Sequence, residues 1–162
     1  MLTEQQIKDN KNKFLQLVSE ITLEEADTQG LVDFLMGSDF FEAPASTKFH
    51  CNFKGGLCLH SLNVYTVLCD LVNIYAKGKY FDDTLKIVSL FHDISKTNFY
   101  EVTFRNVNTG KKDSYGKDIW VKEPSYKVRE ADNRFLATNH ATILFIIIFT
   151  FKNICTYLVC HT

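Results

Sequence analysis

Apolar positions in the first part of the chain recur at the spacing of amphipathic helices. Thr3 and Gln6 form a capping-box pair ahead of the first apolar stripe. Thr22 and Glu25 repeat this signature ahead of a second stripe. We therefore predict that residues 1–40 form the N-terminal helices.

Two longer helices are predicted within residues 50–98. The first begins near Gly56, after a long connection with little regular structure, and its apolar stripe comprises His60, Val64, Val67, Leu68, Leu71 and Tyr75. The second runs from about Asp82 to Lys96, and one side of it carries Leu85, Val88 and His92. Both stripes are predicted to face the core, so the two histidines should point inward from neighbouring helices.

The pattern changes over residues 99–130. The stretches EVTFRNV and IWVKEPSYKVRE have strand character and flank the turn-rich NTGKKDSYGKD, which predicts a small β-hairpin excursion. Residues 141–162 form an apolar tail with Lys152 in its middle. A central lysine costs about 2.5–3.5 kcal/mol in a membrane span, which favours a buried helix or strand over a C-terminal anchor. A homo-oligomer contact through the tail is a further alternative.

Composition places the chain among ordinary globular proteins. It has 162 residues, of which 46 % are hydrophobic and 23 % charged, so we predict a single domain over residues 1–162. The helical patterns described above make this domain mainly α. The formal net charge of −1 predicts no strong nucleic-acid patch. The start lacks a signal-like apolar segment, and the five cysteines show no CxxC spacing. These features favour reduced thiols in a cytoplasmic protein.

The segment SLFHDISKTNFY carries the residues that suggest chemistry. With His60 on the preceding helix, His92 and Asp93 offer two imidazoles and a carboxylate. This set suits Mn, Fe, Co, Ni or Zn, and the carboxylate also tolerates Mg. A bound ion can polarise a phosphoryl oxygen, and the ammonium of Lys96 can hold a phosphate oxygen. The alternative is a helix end with hydrogen-bonded core histidines and solvated polar residues.

The stretch GGLCLHSLNVYTVL followed by LFHDISK resembles the HD superfamily of metal-dependent phosphohydrolases. The approach APASTKFHCNFKGG is similar to HD proteins of phages and prophages, and more distantly to the HD domain of a bacterial 3′–5′ exoribonuclease family. The resemblance covers roughly residues 40–140 and implies an HD-domain-like helical bundle. It also implies metal binding by His60, His92 and Asp93, with Asp93 contacting or bridging the ions.

The same resemblance assigns the remaining site residues. Lys96 matches the lysine that follows the His-Asp doublet, which makes Asp93 and Lys96 the implied catalytic residues. His50 matches a histidine that often precedes the glycine pair, and His140 matches a further downstream histidine. Lys96, His50 and His140 are thus expected to bind the substrate. Around His140 the family's acidic neighbours are replaced by alanine and threonine.

The chain departs from the family pattern after the hairpin. Family members supply a final aspartate ligand downstream, whereas no Asp or Glu follows Asp132 here. Because the tail has the composition that a frame change in an AT-rich gene would encode, we expect a truncated or diverged HD domain. The leading function is hydrolysis of a nucleotide, short oligonucleotide or other phosphorylated small molecule by metal-activated water. The alternative is a non-catalytic nucleotide- or partner-binding module with an incomplete metal site.

Overall fold

The computed structural model describes residues 1–22 and 28–130. In chain order the elements are the helices α1 (Glu4–Ser19), α2 (Thr28–Met36), α3 (Gly56–Tyr75) and α4 (Asp82–Phe91), a 3₁₀-helix (Ile94–Lys96), and the strands β1 (Tyr100–Lys112) and β2 (Asp118–Val128). The predicted capping box at the start of α1 is confirmed, with Thr3 and Gln6 bonded reciprocally. The predicted connection before α3 is also confirmed, since residues 37–55 form neither helix nor strand.

The predicted fold class, a mainly α helical bundle with a small excursion, is wrong. In its described part the structure combines four α-helices with a two-stranded antiparallel sheet, and 46 % of the described residues are helical and 19 % are in strands. The hairpin lies within the predicted range 99–130, and β2 has 11 residues, but β1 has 13 and is longer than the predicted stretch EVTFRNV. Strand geometry continues to Lys112, through residues whose turn-forming composition suggested a loop. The chain is therefore a mixed α and β structure.

The core is built around aromatic side chains from three parts of the chain. The ring of Phe14 on α1 lies 5.1 Å from that of Phe40 and 5.7 Å from those of Phe41 and Phe91, measured between centroids. All four side chains are buried. Edge-to-face packing of this kind adds to the free energy that comes from burial alone. The cluster fixes α4 against α1 just before the His-Asp doublet.

The predicted core face of α3 is wrong for its C-terminal half. Val67, Leu71 and Tyr75 are exposed, while the buried residues of α3 all lie between Gly56 and Leu62. The helix has 20 residues, against 16 in α1 and 10 in α4, so it extends beyond both described neighbours. Among the described elements, α1 and α4 cover only the first turns of α3.

The helix predicted to reach Lys96 ends earlier, at Phe91. The backbone angles of His92 are still helical, whereas those of Asp93 are not, and a 3₁₀-helix follows. Inside α4 the buried apolar residues are Ile87, Leu90 and Phe91, whereas Val88 is exposed. The predicted stripe was therefore out of phase, although His92 itself is half-buried as expected.

Three further expectations concern the oxidation state of the cysteines, the possibility of a membrane span and the C-terminal tail. Cys51, Cys58 and Cys69 are free thiols, as predicted for the described cysteines. Among the described residues, α3 alone is long and apolar enough to cross a membrane, a weak indication because core helices of water-soluble proteins share these properties. The predicted apolar tail, residues 141–162, lies outside the described residues.

Candidate metal centre

The glycine pair at the start of α3 places His60. Gly55 has a left-handed backbone (φ 77°), and a Cβ there would lie 2.9 Å from Cγ1 of Ile7 on α1. A Cβ at Gly56 would overlap the carbonyl oxygen of Cys51. Only glycine combines this φ with such close approach at low cost. The pair therefore forms a turn that sets the start of α3, and contacts on both sides explain why glycine occupies both positions.

His92 and Asp93 lie between the end of α4 and the start of the 3₁₀-helix. This break turns the backbone at Asp93 (φ −106°, ψ 17°) and sends its carboxylate into the protein, where the side chain is only 7 % exposed. The side chains of His60 and His92 remain 21 % and 31 % exposed. The buried carboxylate therefore lies beneath two imidazoles that solvent reaches.

Three donor atoms form a nearly equilateral triangle. Nε2 of His60 lies 3.2 Å from Nε2 of His92. Oδ2 of Asp93 lies 3.4 Å from the first nitrogen and 3.3 Å from the second. The arrangement brings together the three residues that the sequence predicted as metal ligands.

The triangle has the dimensions that a divalent ion requires. Ligands bound at about 2.0–2.2 Å in tetrahedral or octahedral geometry lie roughly 2.8–3.6 Å from their neighbours, and the three measured separations fall in this range. Two imidazole nitrogens and a carboxylate oxygen also form a common donor set for such ions. The cluster His60, His92 and Asp93 could hold a metal ion.

A backbone carbonyl orients one of the imidazoles. Nδ1 of His92 lies 2.8 Å from the carbonyl oxygen of Ser89, and it must donate because a carbonyl only accepts. In the neutral ring this leaves the lone pair on Nε2, which faces the triangle. A hydrogen bond from the other ring nitrogen is the usual support of a ligating histidine.

Lys96 is fixed by two acceptors. Its Nζ donates to Oδ2 of Asp93 at 2.8 Å and to the carbonyl oxygen of Ala45 at 2.9 Å. Burial alone would raise the pKa of Asp93. The hydrogen bonds from His60, His92 and Lys96 and the charge of the lysine outweigh it, and the pKa lies far below its ordinary value. Asp93 is therefore ionised at neutral pH, as a metal ligand must be.

The two titrating histidines shift in opposite directions. Burial would lower the pKa of His92, but its hydrogen bonds with Asp93 and the carbonyl of Ser89 raise it above the ordinary value. For His50, burial and the nearby charge of His60 both lower the pKa. A proton on His92 would have to leave before its Nε2 could bind an ion, so metal affinity should rise with pH.

His50 lies beside the metal cluster without joining it. Its ring centroid is 4.6 Å from that of His60, and the residue is exposed to solvent. The structure thus brings five of the six predicted site residues together, with Lys96 bonded to Asp93 and His50 beside His60. The sixth, His140, lies outside the described residues.

Sequence reasoning missed the backbone and phenol groups that support the site. The carbonyl of Ala45 accepts from Lys96 and also from the hydroxyl of Tyr100, at 3.5 Å. Burial and the negative charge of Asp93 raise the pKa of Tyr100, which keeps it a neutral donor. Nothing in the residue types singles out Ala45. The one available signal was the position of Tyr100 just after the doublet.

No protein-family model, curated protein or solved structure matches the chain.

Proposed function

We propose that the chain is a metal-dependent phosphohydrolase of the HD type that acts on a nucleotide or a short oligonucleotide. The proposal depends on one observation, the triangle of donor atoms from His60, His92 and Asp93, with edges of 3.2 to 3.4 Å. Its residues are those to which the HD resemblance assigns the metal. The proposal rests on the site and not on the fold class.

The residues have distinct roles in this proposal. His60, His92 and Asp93 hold the ion, which supplies Lewis acidity and lowers the pKa of water. Lys96 presents an ammonium that is already fixed by Asp93 and Ala45, so it can hold a phosphate oxygen with little further ordering. His50 is exposed beside His60 and can donate to the same phosphate. The ion is Mn, Mg, Ni, Co, Fe or Zn, and the two imidazoles favour the transition ions over Mg.

A two-part experiment tests the proposal. Elemental analysis of protein purified without chelators should find a divalent metal, and Mn²⁺ should support release of phosphate or nucleotide from a substrate panel. Asp93→Ala should abolish both results. Asp70→Ala, which removes an exposed carboxylate from α3, is the matched control and should change neither. Absence of metal from the wild type, or activity that survives Asp93→Ala, would refute the proposal.

A second candidate function is binding without turnover. The described residues supply only three metal-ligating side chains, whereas the HD resemblance implies further ligands downstream. A three-ligand site could bind a nucleotide through its metal and Lys96 without completing hydrolysis. Saturable nucleotide binding that depends on Asp93, with no product at long times, would select this function over the first. Both candidate functions are compatible with a cytoplasmic location, which remains a prediction.

A further inference from the structure

The hairpin has two chemically different faces. Residues opposite each other in the register share a face, and side chains alternate along each strand. We call one side the aromatic face, defined by Val102, Phe104, Trp120, Lys122, Pro124 and Tyr126. The other side carries mostly charged and small polar residues.

The aromatic face is exposed to solvent. Phe104 is 65 % and Trp120 60 % exposed, and Val102 is exposed as well. An antiparallel sheet with one apolar face normally packs that face on the core. A two-stranded ribbon is also marginally stable by itself. A large aromatic surface that no part of residues 1–22 and 28–130 covers points to an occupant.

The charges on the hairpin suggest what that occupant is. On the opposite face the cations are paired, Lys127 with Glu101 at 2.8 Å and Arg105 with Glu123 at 3.9 Å. Lys122 on the aromatic face has no ion-pair partner among residues 1–22 and 28–130. Asp118 lies on the same side of β2, accepts from Asn108 at 3.2 Å and is opposite Lys112 in the register. Because Lys112 balances Asp118, the face combines aromatic rings with the net positive charge of Lys122.

The aromatic face is continuous with the metal centre at the base of the hairpin. Tyr100, in line with Val102 and Phe104 along β1, donates to the carbonyl of Ala45. The same carbonyl accepts from Lys96, which bonds to Asp93. Burial raises the pKa of Tyr126, and the positive charge of the nearby Lys54 opposes this rise. A ligand lying along the face would therefore reach the cluster at one end.

We propose that the aromatic face binds a single-stranded oligonucleotide and leads its backbone to the metal centre. This inference rests on the proposed phosphohydrolase function and names its substrate class. Exposed bases stack on Phe104, Trp120 and Tyr126, and Lys122 contacts the phosphate backbone. Stacking on aromatic side chains next to basic residues is the common mode of sequence-tolerant single-strand binding. A duplex presents no base faces to such a surface.

The chain contains one tryptophan, Trp120, so its fluorescence reports directly on this face. We would titrate the full-length protein in EDTA with an oligothymidylate of about eight nucleotides, within the range of a single-strand site. The expected result is saturable quenching, absent with a duplex of the same length. An emission that depends on protein concentration alone, with no response to the oligonucleotide, would assign the face to a second copy and overturn the proposal.

Matched variants on the two faces sharpen the test. Phe104→Ala should weaken binding about 5- to 150-fold, whereas Val121→Ala on the opposite face should not change it. Lys122→Gln should reduce the slope of log affinity against log salt by about 0.7, and Arg105→Gln should leave it unchanged. Equal effects of the two variants in either pair would overturn the proposal.

The experiment also separates this inference from the proposed function. Because binding is measured without metal, quenching with no later Mn²⁺-dependent hydrolysis would support the aromatic face and refute the phosphohydrolase. Hydrolysis of a mononucleotide with no oligonucleotide binding would support the phosphohydrolase and refute binding at the aromatic face.

Discussion

Lys96 donates from Nζ to Oδ2 of Asp93 at 2.8 Å, and this is the oxygen that faces the imidazoles of His60 and His92. An ammonium and a divalent ion would thus share one oxygen. The lysine keeps the buried carboxylate charged in the absence of metal. The same positive charge repels an incoming ion across a few ångströms.

Replacing the ammonium by an apolar chain should strengthen metal binding. In Lys96→Met we expect about tenfold tighter binding of Mn²⁺, or about 1.4 kcal/mol, because a competing positive charge is removed from Oδ2 of Asp93. Hydrolysis should fall, since the phosphate partner is lost. Isothermal titration calorimetry and a rate assay would measure the two effects. Lys79→Met, at an exposed position, should alter neither. Weaker metal binding in Lys96→Met would contradict the competition.

Removing the charge of Asp93 while keeping its shape should abolish metal binding. Changes to groups that merely orient a ligand cost roughly 10–100-fold in affinity. We expect Asp93→Asn to exceed that loss because it removes the anionic donor itself. Metal should then no longer raise the free energy of unfolding, whereas in wild type it adds about 2.7 kcal/mol at a hundredfold excess over Kd. Urea unfolding with and without Mn²⁺ checks this, with Asp70→Asn as control.

A methyl group at Gly56 should displace the start of α3. Because the new Cβ would overlap the backbone oxygen of Cys51, we expect Gly56→Ala to destabilise the protein by more than about 3 kcal/mol. Gly37→Ala is the matched control, since its Cβ would lie 3.4 Å from the carbonyl oxygen of Asp33, an ordinary contact. Chemical denaturation measures both. Similar stabilities for the two variants would show that the overlap is relieved without cost.

Alkaline pH should destabilise the protein through a buried thiol. Burial raises the pKa of Cys58 from 9.0 to about 12. A raised pKa contributes stability that is complete below the unfolded value and is lost as the pH rises towards the folded one. Between about pH 8 and about pH 10.5 the wild type should lose about 2 kcal/mol more than Cys58→Ala. Urea unfolding at both values tests this, and equal losses would contradict it.

The site was more predictable than the packing around it. The candidate metal-binding residues His60, His92 and Asp93 could be predicted because residue type, the order of the helices and the HD resemblance carry that information. The phase of α3 could not, since the apolar residues of this helix surround most of its circumference. Their burial depends on where α1 and α4 end, which local spacing does not reveal.

The supporting contacts were hidden for a different reason. The groups that fix His92 and Lys96 are the carbonyls of Ser89 and Ala45, and every residue has a carbonyl. The hairpin was predicted from alternation, but its length was underestimated because β1 continues through Thr109, Gly110 and Lys111 despite their turn-forming composition. Residues 109–111 have no partner in the register, and the pairing resumes at Lys112 with Asp118, an irregularity that composition does not reveal.

The carbonyl of Ala45 joins the metal centre to the hairpin through a group that no side-chain substitution can delete. Its methyl group is fully buried, so residue 45 would be selected for size alone. The candidate metal centre and the hairpin could thus stay coupled while the residue between them changed among small types. Comparison of related sequences would show only a preference for a small residue at this position.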